Sequence, residues 1–350
     1  MIAHRRLSRP IPLFKAAFGS PGHAAVSLAL AELVAVAVPP LLNWLLFDAT
    51  WVGTADDCHG RSGACWAFVG AKLQFVLLGL YPQGDAWRAY AVDGLLLALA
   101  AASTVPRLWS RGLLAAWIGG LLASIWLLGG GLGLPQITSD KWGGLPVTLL
   151  LSFGSFLLSF PLAIALALAR RSRMGGLRIY AVAFIEVVRG VPFIAVLYAA
   201  TLLFPLMLPS GAAIDKFARA AAALSIFVAA YFAEIIRAGL QGVPHGQYEA
   251  ASALGLTYWQ ALRLIVLPQA LRAVIPSIVN LAIGIFQDTT LVAIIGMFDL
   301  LNAARTAASA DQGWLGFYAE SYVFAALVYF VFCFSASRYS LWLERHLRPA

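Results

Sequence analysis

A chain of 350 residues that is 61% hydrophobic and only 11% charged, with a mean hydropathy of +0.83, lies outside the range of soluble domains. It reads as all-α and polytopic, with the lipid bilayer as its surroundings. The formal net charge of +8 forms no single basic patch, because lysines and arginines alternate with apolar spans; that pattern signals topology and argues against nucleic acid as a partner.

The chain opens on a basic segment, MIAHRRLSRPIPLFK, and runs into an apolar stretch at 24–47. A cleaved signal peptide is one reading, with Ala35, Val36 and Ala37 as a cleavage site. At about 24 residues the stretch exceeds an h-region and can cross a bilayer, which favours an uncleaved first helix. Pro39 and Pro40 predict a kink in it. The loop at 48–88 is polar and holds Cys58 and Cys65. In an oxidising compartment these two can form a local disulfide; free thiols are the alternative, and a metal site with His59 has too few ligands.

Two spans follow near 90–105 and 113–132. The segment at 129–144, rich in glycine and polar residues, divides a three-helix part (1–143) from a five-helix remainder (144–350). The remainder gives spans near 145–169, 179–208, 217–236, 274–298 and 318–341. This eight-span map puts sixteen of the 24 lysines and arginines on one side and seven on the other, with Arg189 inside a span. The bias predicts that both termini and the loop at 239–268 are cytoplasmic.

That loop, GLQGVPHGQYEAASALGLTYWQALRLIVLP, is the most informative stretch. A first short helix at 247–254 carries Glu249 in its opening turn, suited to the helix dipole, with Ala250, Ala251 and Leu254 on one side. Gly255 supplies a left-handed stop, Thr257 and Gln260 have capping-box spacing, and Pro268 breaks or kinks the second helix. On periodicity alone this is a surface hairpin. No glycine run leads into Gly-Lys-Ser/Thr, and H-E-x-x-H, G-x-S-x-G and paired catalytic carboxylates are absent, so no ATP-hydrolysing or other enzymatic constellation is visible.

Polar residues inside spans need a reason. Asp288 lies about 15 residues into its span, and Asn280, Gly284 and Asp288 share a helix face, with Gln287, Thr289 and Thr290 beside the aspartate. The cluster reads either as a broken helix near a transport pathway or as a structural break. Glu186 and Arg189 are spaced to pair with each other ahead of the interruption at Gly190 and Pro192. Glu234 and Arg237 read as snorkelling at a span's end. Thr148, Ser152, Ser155 and Ser159 form a hydroxyl stripe of the kind that packs helices together.

Glu249, Ala250, Ala251 and Gly255, followed after nine residues by Ile265-Val266-Leu267-Pro268, resemble the EAA motif of membrane subunits in binding-protein-dependent ABC importers. Val188-Arg189-Gly190-Val191-Pro192, Ala233-Glu234-Ile235-Ile236-Arg237 and Asp288-Thr289-Thr290-Leu291 resemble segments of the polar amino acid (histidine/glutamine) uptake permeases. The three extra N-terminal spans and the Cys58–Cys65 loop are similar to the second permease of Aap/Bzt-type general L-amino acid transporters.

The resemblance implies a type I importer permease core with three added helices, in a bacterial inner membrane. Glu249, Ala250, Ala251, Gly255 and Pro268 would couple it to a dimer of ATPase subunits. ATP and magnesium would be used there, with no cofactor in this chain. A second, homologous permease and a periplasmic amino acid-binding protein would complete the assembly. Asp288, Thr289, Thr290, Gln287, Asn280 and Arg189 are the candidate pathway residues. Gln287 and His245 stand where lysine is common in the family, and the first of these departures keeps any charge-based substrate preference from carrying over. The alternative function is a proton-coupled carrier using Asp288 and Glu186 as relays, against which the EAA loop speaks.

Overall fold

The computed structural model describes residues 17–209 and 214–347. Arg5, Arg6, Arg9, Lys15 and Arg348, which contribute to the predicted charge bias, lie outside the described residues. The chain falls into two compact units, Met1–Ala71 and Lys72–Ala350.

In the first unit, α1 (Pro21–Leu42) starts at Ser20, whose hydroxyl accepts the His23 N–H at 3.2 Å, and Pro21 takes the first helical position. Pro39 and Pro40 sit inside α1, where they offer no N–H to the carbonyls one turn earlier, and a π turn (Asn43–Phe47) follows. Together, Pro21–Phe47 has no buried residue in its apolar window. A capping box opens α2 (Ala55–Cys58): the Thr54 N–H and hydroxyl donate to the Asp57 carboxylate at 2.7 and 2.9 Å. Those bonds, the backbone one first, hold the Asp57 carboxyl below its usual range. Cys58 and Cys65 are joined in a disulfide, their Cα atoms 5.7 Å apart. The closed loop is pinned at its base, where Ala64 N–H donates to Trp44 O and Thr50 N–H to Ala64 O, both at 2.8 Å.

The loop expected at 48–88 is only partly a loop. An apolar helix, α3 (Trp66–Leu78), runs from the first unit into the second. Its 13 residues reach about 20 Å, short of the roughly 30 Å hydrocarbon core. Flanking charges and glycines hid it from a search for full-length spans.

In the second unit, α4 (Ala86–Ser103) and α5 (Arg111–Gly129) pair. Arg88 of α4 is fully buried and donates to the carbonyls of Leu127, Leu128 and Pro135. It thereby satisfies the open carbonyls at the end of α5, where a cation also suits the helix dipole. The glycine-rich segment expected as a boundary is packed instead. Gly144 has φ +66, and a Cβ there would lie 1.9 Å from the Leu77 carbonyl oxygen. By compactness the chain divides between Ala71 and Lys72.

Five further spans or part-spans form the core. α6 (Gly144–Arg170) leads to α7 (Gly175–Gly190) and α8 (Phe193–Tyr198), which continues through a π turn (Ala199–Leu203) to Leu206. α9 (Lys216–Gly242) is capped by Asp215, whose carboxylate accepts the Ala218 N–H at 3.1 Å. After the loop helices come α10 (His245–Ala253), α11 (Tyr258–Ala261), α12 (Leu267–Ala273) and α13 (Ile275–Asp288). A 3-10 segment (Thr289–Ile295) and the pair Phe298–Asp299 precede α14 (Leu300–Ala307) and α15 (Tyr318–Leu347).

The most extensive helix pair is α6 against α9. Alanines 220, 223, 229, 230 and 233 of α9 are buried and let the backbones approach; Phe232 stacks on Phe156 and meets Phe160 edge-on. The hydroxyl stripe serves this packing. Thr148, Ser152, Ser155 and Ser159 are all buried, and Ser155 donates across to Ala221 O at 3.3 Å.

Among the described residues six helices are long and apolar enough to cross a membrane, or seven if a bent pair counts as one span. The expected eight are reduced because α4, with buried Arg88 and Asp93, is not among them. The single span expected at 179–208 is that bent pair, Gly175–Gly190 and Phe193–Leu206, turned by 104° at Val191 and Pro192.

Protein isolated without reductant, denatured and treated with a maleimide reagent should react at Cys333 alone before reduction, and at all three cysteines after it. Labelling of Cys58 or Cys65 without reduction would remove the bridge.

Candidate functional site

Two regions collect the predicted residues. The first is the loop between α9 and α13. α9 runs to Gly242, and α10 begins at His245 after Pro244. Glu249 is therefore in the second turn of α10, not the first, and the dipole argument for it weakens accordingly. Nor do the three apolar residues share one side. Ala251 is fully buried, whereas Ala250 and Leu254, four residues apart, are exposed together with Glu249; Leu254 is 76% exposed.

Gly255 closes the helix at φ +73, a conformation that costs other residues about 1–2 kcal/mol. The N–H groups of Gly255 and Leu256 return to Ser252 O and Ala251 O at 2.9 and 3.1 Å, a Schellman-type end. Thr257 and Gln260 form the capping box that opens α11. The chain does not stop at Pro268. A π turn (Leu262–Val266) precedes it, Pro268 takes the second position of α12, and the break is displaced to Val274. Proline is tolerated there because the first turn of a helix needs no N–H. Gln269 of α12 donates to Gln247 of α10 at 3.0 Å, tying the two arms of the hairpin.

An ion network lies under this loop, and it differs from the sequence-based pairing. Glu186 does not pair with Arg189. Arg170, at the end of α6, donates through two nitrogens to Glu186 at 3.0 Å and also meets Glu234 at 3.1 Å. Arg237 donates to Glu234 at 2.8 and 2.9 Å and to Gln241 at 2.9 Å. One guanidinium thus joins α6, α7 and α9, and Glu234 is inward and paired rather than snorkelling. Arg189 instead lies over the Tyr231 ring, 5.2 Å from its centroid. Sequence spacing favours pairs within a helix; Arg170 could be found only once the helices were packed.

The second region is the end of α13. Asn280 and Gln287 are exposed, Asp288 and Thr290 partly buried, and Thr289 buried. At Asp288 the α-helix gives way to the 3-10 segment, and the threonine hydroxyls occupy carbonyls released there: Thr289 donates to Phe286 O at 2.7 Å and Thr290 to Gln287 O at 2.8 Å. The Asp288 carboxylate has no hydrogen bond or ion pair among the described residues. Arg189 is engaged with Tyr231 and does not join this group.

Asp299 was missed. It is fully buried and caps α14, accepting the N–H groups of Leu301 and Asn302 at 2.9 and 3.2 Å. Burial pushes its carboxyl up to about 7, against the pull of those N–H bonds. Phe298 and Asp299 pair in parallel with Gly143 and Gly144, and the Leu300 N–H donates to Thr148 Oγ1 at 3.0 Å. An aspartate ahead of Leu-Leu-Asn-Ala-Ala is an N-cap signal that was open to reading.

Residues 159–349 match the family of binding-protein-dependent transport system inner membrane components. This chain belongs to that family. It is 45% identical over 316 residues to the inner membrane amino-acid ABC transporter permease protein YhdY of Escherichia coli, covering 88% of this chain and 84% of that one. It is 37% identical to the glutamate/glutamine/aspartate/asparagine transport system permease protein BztC of Rhodobacter capsulatus, covering 92% and 88%. A solved amino acid ABC transporter with histidines has a chain 32% identical at a TM-score of 0.50, covering 57% of this chain and 90% of its own. The broader cover of YhdY and BztC takes those matches into the residues before 143. The chain is thus a multi-span transport component of an inner membrane and not an enzyme. A proton-coupled carrier finds no support in these likenesses, and Glu186 is already held by Arg170.

Glu234→Ala would leave two guanidinium groups, Arg170 and Arg237, short of their shared partner and should lower stability by about 3 kcal/mol, read as a fall in thermal midpoint in detergent. Glu186→Ala removes a carboxylate that is 57% exposed and should cost less than about 1 kcal/mol. Equal shifts for the two would contradict this ranking.

Proposed function

We propose that this chain is the permease subunit of an ATP-driven importer of L-amino acids, and that the loop at 239–268 is the part an ATPase subunit holds. The observation that carries the proposal is the division of labour within α10. Ala251 is seated in the protein while Glu249, Ala250 and Leu254 face outward on a helix tied through Gln247 to Gln269. A partner gripping that outward face pulls on α12 through Gln247 and Gln269, and α12 leads directly into α13 and Asp288. The names of YhdY and BztC support amino acids as cargo.

In this reading the charge bias puts the loop and both termini in the cytoplasm. Two ATPase subunits using ATP and magnesium dock there, a second homologous permease completes the pathway, and a periplasmic binding protein delivers the amino acid. Residues 1–143 are an N-terminal extension of the five-helix core at 144–350. Asp288, with Gln287, Thr290 and Asn280, lines the pathway where α13 breaks, and buried Thr289 supports the break; a discontinuous helix presents backbone dipoles that a zwitterionic cargo can meet. Arg189 has its own partner and is left to support the bend after α7.

Glu249→Lys should leave the assembled complex intact and lower ATP-driven uptake in proteoliposomes at least about tenfold, the loss of on the order of 1.4 kcal/mol of coupling. Unchanged uptake together with unchanged co-purification of the ATPase would remove α10 as the coupling element. Asp288→Asn should reduce uptake without altering the subunits that co-purify; wild-type uptake kinetics would take Asp288 out of the pathway.

A further inference from the structure

Beside the end of α6 lies a groove of about 1080 Å³, bordered on one side by the coupling hairpin. Its wall is apolar, with Leu162 and Ala165 of α6 exposed on it. Arg171 and Arg173, in the turn after α6, and Tyr258 and Trp259 of α11 also line it. The two aromatic residues are 61% and 67% exposed. Tyrosine and tryptophan favour the headgroup level of a bilayer, where the ring is shielded and its polar atom is wet.

The charges decide what covers the groove. Arg170, the residue before this pair, is satisfied by Glu186 and Glu234. Arg171 and Arg173 are exposed and pair with no carboxylate among the described residues. Glu186 and Glu234 are taken up by Arg170 and Arg237, and neither is paired with Arg171 or Arg173. An apolar trough that ends a membrane span and opens between two free guanidinium groups and two interfacial aromatics suits an amphiphile with an anionic head.

We infer that this groove binds an anionic phospholipid, with an acyl chain along Leu162 and Ala165 and the phosphate held by Arg171 and Arg173. The inference rests on the reading of this end of α6 as cytoplasmic, the leaflet whose surface is negative. The lipid spans from the α6–α7 turn to α11, which belongs to the coupling hairpin, and so steadies the seat of that hairpin.

The test uses the purified, fully assembled transporter, offered phosphatidylglycerol and phosphatidylcholine together, with retained lipid read by native mass spectrometry. Wild type should keep phosphatidylglycerol in preference. Arg171→Gln with Arg173→Gln should weaken that preference about thirtyfold, at roughly 1 kcal/mol for each basic residue near the surface. Arg107→Gln with Arg111→Gln removes the same charge elsewhere and should leave the preference intact, and Ala165→Trp should exclude both lipids by filling the trough. Equal retention by wild type and the Arg171/Arg173 variant overturns the proposal. So does loss of the ATPase subunit from that variant with no lipid on either protein, which would make the groove a protein seat. Glu249→Lys should retain lipid as wild type does, so a failed coupling reading and a failed lipid site give different results.

Discussion

The contact on which the core depends is one guanidinium shared by two carboxylates. Arg170 ends α6 and reaches Glu186 on α7 and Glu234 on α9, and Glu234 is in turn held by Arg237. Helices in lipid gain little from apolar burial against one another, since lipid tails are as apolar as leucine. Alignment of α6 and α9 must come from close backbone packing and from polar contacts that have no better partner in hydrocarbon. The buried alanines of α9 supply the first, and Arg170 supplies the second at the end where the hairpin leaves. The two reinforce each other: without small residues the helices would stand too far apart for Arg170 to reach both carboxylates.

α9 is a strut between two different fixings. Its 27 residues are about 40 Å long, enough to exceed the roughly 30 Å hydrocarbon core at both ends. At one end lie Glu234 and Arg237. At the other, Lys216 donates to the Gly296 carbonyl at 3.2 Å, beside the pair of Phe298 and Asp299 with Gly143 and Gly144. The far end of the α13 segment is thus clamped to α6 and α9. Its near end follows α12 and the hairpin. On the proposed reading, displacement of α10 has to be absorbed between these fixings, and the change from α to 3-10 winding at Thr289 is where the backbone ladder is already interrupted.

What could be read from the sequence was local chemistry. The capping box of Thr257 and Gln260, the left-handed Gly255, the break near Asp288 and the interruption at Gly190 and Pro192 each depend on residues within one turn of one another. What could not be read depends on packing between distant segments. Arg170 and Glu234 are 64 positions apart, and no spacing rule joins them. α3 was lost because a 13-residue apolar helix falls below the length that marks a span, and α4 was counted as one although it buries an arginine and an aspartate. Pro268 misled for a subtler reason: a proline signals a break only if the helix is already under way, and the π turn before it lets α12 begin there.

The same distinction explains why the hairpin is legible as a knob but not as a lever. A knob needs only its own turns. A lever needs stiffness between the point of contact and the point of work. Here that stiffness comes from the bond between Gln247 and Gln269, and from Ala251 buried against the protein. Ala251 matters through its size. A larger side chain at a fully buried position would lift α10 off its seat while leaving Glu249 and Leu254 as exposed as before. A partner would still find the outward face, yet the pull would be spent on rocking α10 instead of moving α12. On the proposed reading the loop therefore has an outward face, Glu249, Ala250 and Leu254, where a partner's movement enters, and a seat, Ala251, Gln247 and Gln269, that passes the movement on to α12.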